Sequence, residues 1–144
     1  MEVLRKLTRR QVEALQAVLA LEGSGGPASL NAIARSLRVT PPSALAHLTP
    51  LEQLHLVMRH RGKSRLTSKG RETLLEYRRH HRIAESLFGR MGMSPDDVCA
   101  AASEVDLALS HRTVERLCDA EGHPSICPHG EPIPPCPAKR GAPA

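Results

Sequence analysis

The chain has 144 residues, 40% of them apolar, with Tyr77 and Phe88 as its only aromatic side chains, so its core must be aliphatic and its length suits one domain, or a compact domain with a tail. No apolar run approaches the roughly 18 residues that a membrane span needs, and the N-terminal residues lack a signal-peptide core. Folds that stack single-stranded bases on exposed aromatics are excluded too. The formal charge of +5 is concentrated: residues 56–90 carry 10 basic and 3 acidic side chains, whereas residues 91–144 carry 4 and 8. A basic band of this kind suits a polyanion, or else is a solvated helix face.

In chain order, Thr8-Arg-Arg-Gln11 reads as a capping box, followed by an apolar stripe of Val12, Leu15, Val18 and Leu19 at helical spacing. Gly23-Ser-Gly-Gly26 ends that helix, and Leu30, Ile33, Ala34 and Leu37 mark a second. Thr40 and Pro41 open a third, as N-cap and first helical residue. Pro50 is expected to kink or end it. The segment Leu54 to His60 is β-compatible, Gly62 sits at a turn, and Ser64-Arg-Leu66 returns as a second strand. Thr67 or Ser68 caps a long helix running from about Lys69 to Phe88. Ser94-Pro-Asp-Asp97 and Ser110 start two more helices, and 7 prolines in the 23 residues from Gly122 read as a tail without regular structure.

Three helices followed by a basic hairpin describe a winged helix-turn-helix. Its second helix would turn Ser43, Ala46, His47 and Thr49 toward the major groove of double-stranded DNA. None of these can take a guanine bidentately, so affinity is expected from Arg59, His60, Arg61, Lys63 and Arg65 in the wing. The alternative is a winged-helix module used for protein contacts, without operator binding.

The order of these pieces resembles the diphtheria toxin repressor / manganese transport regulator family of bacterial metal-responsive repressors. The resemblance rests on Ile33-Ala-Arg-Ser-Leu37, Val39-Thr-Pro-Pro-Ser43, Arg65-Leu-Thr-Ser-Lys-Gly70, His81-Arg-Ile-Ala-Glu85 and Gly122-His-Pro-Ser-Ile-Cys-Pro-His-Gly-Glu-Pro-Ile-Pro134. It implies a cytoplasmic homodimer, joined through the helices after the wing, that binds an inverted DNA repeat when a divalent metal is bound. It also implies metal ligands at His81 and Glu85, with Asp106 and Glu13 matching acidic ligands and Cys99 standing where one branch has a His. Here the chain departs from the family: Ser103 replaces a Cys or Glu ligand, Leu107 replaces a His, and Arg10 falls at a Met or Asp position. A leucine does not ligate and an arginine keeps its proton, so the iron or manganese site is expected to be altered. Two readings follow. A reduced site of His81, Glu85 and Cys99, with or without Asp106, would take a thiophilic metal such as zinc or iron. Alternatively, Arg10 supplies a tethered positive charge to Asp106 or Glu13 in place of the cation. An ordinary i, i+4 pair of His81 and Glu85 is the plain alternative to both.

Cys118, Cys127 and Cys136 stand at equal spacing, Cys-x8-Cys-x8-Cys, without the Cys-x2-Cys pair of common zinc sites. They permit an iron–sulfur cluster with Cys99 or a His as fourth ligand, a haem-responsive role, or simply reduced thiols. The expected architecture is mainly α: a winged helix-turn-helix DNA-binding domain over residues 1–70, a helical dimerisation and metal-sensing domain over 71–121, and a Pro- and Cys-containing tail over 122–144. The expected function is a dimeric transcriptional regulator, acting as a repressor, and not an enzyme.

Overall fold

In the computed structural model, which describes residues 2–136, the helices start where their caps dictate. The Thr8 hydroxyl accepts from the Gln11 amide at 3.2 Å, and the Gln11 side chain accepts from the Thr8 amide at 2.9 Å. This completed capping box opens α1 (Arg9–Gly23), which buries Val12, Ala14, Leu15, Ala17 and Val18. Ser29 caps α2 (Leu30–Leu37) through the Ala32 amide, and Arg38 ends it in the left-handed region at φ 55°. Thr40 and Pro41 then begin α3 (Pro41–Gln53). Pro50 neither ends nor truncates α3, because it lies in the last turn, where a missing amide costs one hydrogen bond and the buried Leu48 and Leu51 hold the helix on course.

The wing is a hairpin of β2 (Val57–His60) and β3 (Lys63–Leu66), in which His60 pairs with Lys63. Arg61 (φ 50°) and Gly62 (φ 73°) form its two-residue turn; positive φ at both positions is the geometry that suits the twist of the flanking strands. A third strand absent from the sequence reading, β1 (Ala28–Ser29), pairs antiparallel with β3, giving the order β1-β3-β2. The base of the wing is tied down by Glu22, whose carboxylate accepts from the Leu66 amide at 2.6 Å and meets Arg71 at 2.5 Å. Thr67, rather than Ser68, caps α4 (Ser68–Arg90), accepting from the Gly70 amide at 3.0 Å. Gly70 is required there, since a Cβ would sit 2.1 Å from the carbonyl oxygen of Leu56.

The chain divides into two units, one of Leu7–Leu74 and the other of Leu75 onward together with the residues up to Lys6. The second unit holds the remainder of α4, then α5 (Pro95–Val105) and α6 (His111–Ala120). Ile83, Val114, Cys118, Cys127 and Ile133 form its core, flanked by Leu109 and Leu117. The residues from Gly122 to Cys136 carry no helix or strand beyond an isolated bridge between Ile126 and Pro132, yet they are not a loose tail. Cys127, Ile133 and Cys136 are buried, and Arg79 and Arg82 donate to the carbonyls of Pro134 and Pro132. The rest of the expected tail, residues 137–144, lies outside the described residues. Among the described residues, no helix is long and apolar enough to cross a membrane.

Candidate metal centre and nucleic-acid interface

The wing turn places its basic side chains where the hairpin ends. Arg61, Lys63 and Arg65 are exposed and, with Pro27, Met58 and His60, line a recess on the wing. Arg59 differs, because its guanidinium is 3.4 Å from the Glu52 carboxylate and is partly shielded. On α3, Ser43, Ala46 and Thr49 are exposed and His47 is half-buried. Two of these hydroxyls are already engaged: Ser43 accepts from Thr40 at 3.0 Å, and Thr49 donates to the Leu45 carbonyl at 2.9 Å. The helix therefore offers a small, weakly polar face beside a strongly cationic wing.

In the second unit, the i, i+4 spacing of His81 and Glu85 brings both to one side of α4, with the Glu85 carboxylate 3.1 Å from His81 Nε2. Asp106, which follows α5 and is fully buried, places Oδ2 2.8 Å from His81 Nδ1. Cys99 on α5 brings Sγ to 3.6 Å from His81 Nε2. The ring is thus held by a carboxylate on one nitrogen and turned with the other toward a carboxylate and a thiol. His81, Glu85 and Cys99 each offer a donor atom within 4.8 Å of the others. Asp106 stands outside that donor group and faces the opposite ring nitrogen, where its carboxylate can accept from Nδ1 and orient the imidazole. Ser103 is turned back onto its own helix, donating to the Cys99 carbonyl at 3.0 Å.

Glu85 also belongs to a second donor group, with Cys127 and His129. His129 Nδ1 is 3.3 Å from Glu85, and its Nε2 is held by the Pro95 carbonyl at 2.6 Å. His129 was not singled out in the sequence as a ligand; the Cys-Pro-His-Gly run around it was the available signal. Among the described residues, no metal-competent group contains more than one cysteine, so the iron–sulfur reading has no support, and Cys118 instead contacts His123 at 3.7 Å. Glu13, on α1 in the other unit, pairs with Arg10 at 2.9 Å.

Two further features of this unit were not read from the sequence. Arg79, 3% exposed, is joined to Glu115 at 2.6 Å. Burial alone would raise the Glu115 carboxyl, but hydrogen bonds from Arg79 and Cys136 hold it below its ordinary value. His80, 1% exposed, is pushed down to about 4 by burial, against the pull of the Asp106 backbone.

A winged helix-turn-helix unit and a group of nitrogen, oxygen and sulfur donors in one chain are the two parts that a metal-responsive DNA-binding regulator would combine. Residues 67–135 match the family described as iron dependent repressor, metal binding and dimerisation domain. That match and the fold are consistent with the diphtheria toxin repressor / manganese transport regulator family. Among solved structures, it is similar to a hypothetical protein from Sulfolobus solfataricus, with 28% identity over 90% of this chain and 100% of that one, at a TM-score of 0.85. It is also similar to the manganese regulator SloR, with 26% identity over 90% of this chain and 61% of that one, at 0.72. IdeR of T. acidophilum is 30% identical over 96% of this chain and 64% of its own, at 0.66. The chain thus spans somewhat over three fifths of the last two. No curated protein sequence matches it.

Proposed function

We propose that this chain is a cytoplasmic, homodimeric repressor that binds double-stranded DNA through its winged helix and is controlled by a divalent transition metal. His81 carries the reading. One imidazole has Asp106 on Nδ1 and both Glu85 and Cys99 on Nε2, an arrangement that an ordinary helical i, i+4 pair does not require. His81, Glu85 and Cys99 would hold the ion, and Cys127 and His129 would extend the centre through Glu85. SloR is a manganese regulator, but the thiol and imidazole donors here favour zinc or iron over manganese. The ion would supply positive charge that the two carboxylates otherwise lack, drawing α4 and α5 together. The domain match, whose description includes dimerisation, supports the homodimer.

On the DNA, the wing supplies phosphate contacts and α3 supplies a small set of groove contacts. Elemental analysis of the purified chain, followed by metal titration of DNA binding, tests the proposal. Zinc or ferrous iron is expected to strengthen binding to the DNA upstream of its own gene, and His81→Ala and Glu85→Gln are expected to abolish that response. Binding that neither metal nor these substitutions alter would overturn it. The second reading, with Arg10 as a tethered cation, is favoured by the Arg10–Glu13 contact and would show as chelator-insensitive binding by a metal-free dimer.

A further inference from the structure

A further group of donors lies in the same unit and shares no residue with the centre around His81. Glu76 and His80, one turn apart on α4, meet His111, the first residue of α6. Glu76 Oε1 stands 3.6 Å from His80 Nε2 and 3.8 Å from His111 Nδ1. The donor atoms of all three lie within 4.8 Å of one another. Both separations are too long for hydrogen bonds. His80 is 1% exposed, yet neither of its ring nitrogens, nor Nδ1 of His111, makes a hydrogen bond of proper geometry among the described residues. Buried polar atoms are seldom left this way, and when they are, a missing ion or water is a usual explanation. The two imidazoles are stacked, with centroids 6.3 Å apart, so both rings present edges to the same carboxylate.

The spacing is informative. Zinc bonds of about 2.0–2.1 Å in a tetrahedral arrangement put neighbouring ligand atoms about 3.3 Å apart. The observed 3.6 and 3.8 Å therefore need only a few tenths of an ångström of closure. A water could also sit among these atoms, and it is the competing occupant.

We propose that Glu76, His80 and His111 bind a second divalent transition metal of the zinc type, which ties the start of α6 to α4. Two imidazoles and one carboxylate neutralise part of the charge of such an ion and leave a fourth position for water. The site is structural: it braces the helix pair instead of reporting metal to the DNA. The proposal is independent of the role assigned to His81.

The test is zinc content after equilibrium dialysis against buffered Zn2+, together with the thermal shift that Zn2+ produces. It is run on the full chain and on the His111→Ala, Glu76→Gln and His81→Ala variants. His111 and Glu76 are partly exposed, so both substitutions are compatible with folding, which circular dichroism checks. His111→Ala and Glu76→Gln are each expected to hold one equivalent of zinc fewer than the native chain and to lose most of the zinc-induced shift. His81→Ala is expected to retain this equivalent. If the centre around His81 takes no metal, His81→Ala will match the native chain while His111→Ala still loses one equivalent. Folded His111→Ala and Glu76→Gln proteins that carry as much zinc as the native chain would overturn the proposal and leave water as the occupant.

Discussion

Asp106→Asn is the most informative single change at the centre. The side chain keeps its size and its site, which is fully buried, but loses the charge that faces His81 Nδ1 at 2.8 Å. With an ion held on Nε2, Nδ1 would donate to this carboxylate. An amide oxygen still accepts, but without charge assistance. A hydrogen bond to a charged group contributes about 1.5–3 kcal/mol and a neutral one about 0.5–1.5, so the fold should lose about 1 kcal/mol. Supporting partners of metal-bound histidines contribute about 10–100-fold in affinity, or about 1.4–2.7 kcal/mol. The assay is competition for Zn2+ against a chromogenic chelator in a Glu76→Gln background, which restricts the titration to the centre around His81. The expected result is weakening within that range, with full stoichiometry retained. Unchanged affinity would refute the positioning role. Loss of the whole equivalent, as with His81→Ala, would instead make Asp106 a ligand.

Three other outcomes follow from the geometry. Gly70→Ala places a methyl 2.1 Å from the Leu56 carbonyl oxygen and should cost about 3 kcal/mol in urea unfolding; a change below about 0.5 kcal/mol would contradict the packing. Arg61→Ala and Lys63→Ala should each lower the slope of log affinity against log salt by about 1, equally for operator and random duplexes, in anisotropy titrations. Arg59→Ala should lower it less, because that guanidinium is shared with Glu52. The carboxyl of Glu115 titrates below its ordinary 4.5 in the folded chain, so its stabilisation is present above that pH and is lost as pH falls through the lowered value. Glu115→Gln should therefore flatten the acid limb of stability, measured by thermal unfolding in chelator, and an unchanged limb would count against the Arg79 pairing.

The local chemistry of the chain was legible in the sequence, and its long-range pairings were not. The caps at Thr8, Ser29, Thr40 and Ser110 lie within three residues of the amides they serve, and the hairpin turn is written in Arg61-Gly62. The two-residue β1 has no periodicity to read; it exists because Ala28 meets Ser64 across more than thirty positions. The prolines after Gly122 suggested an unstructured tail, since composition does not reveal that Cys127 and Ile133 fill a gap between helices of their own unit. His81 and Glu85 were implied by the family resemblance, and their i, i+4 spacing set both on one face of a helix. The place of Asp106 on the far side of the imidazole was not legible, because it depends on how α5 packs on α4. The same holds for His111 beside Glu76 and His80: the i, i+4 pair is in the sequence, and its third member arrives from another helix.

The central claim, metal control of DNA binding, is tested most directly by measuring affinity for the duplex upstream of its own gene before chelation, after chelation, and after restoring zinc or ferrous iron. The expected result is strong binding before, loss on chelation, and recovery with metal in the native chain but not in His81→Ala. Equal affinity in all three states, from a dimer shown to be metal-free, would contradict it.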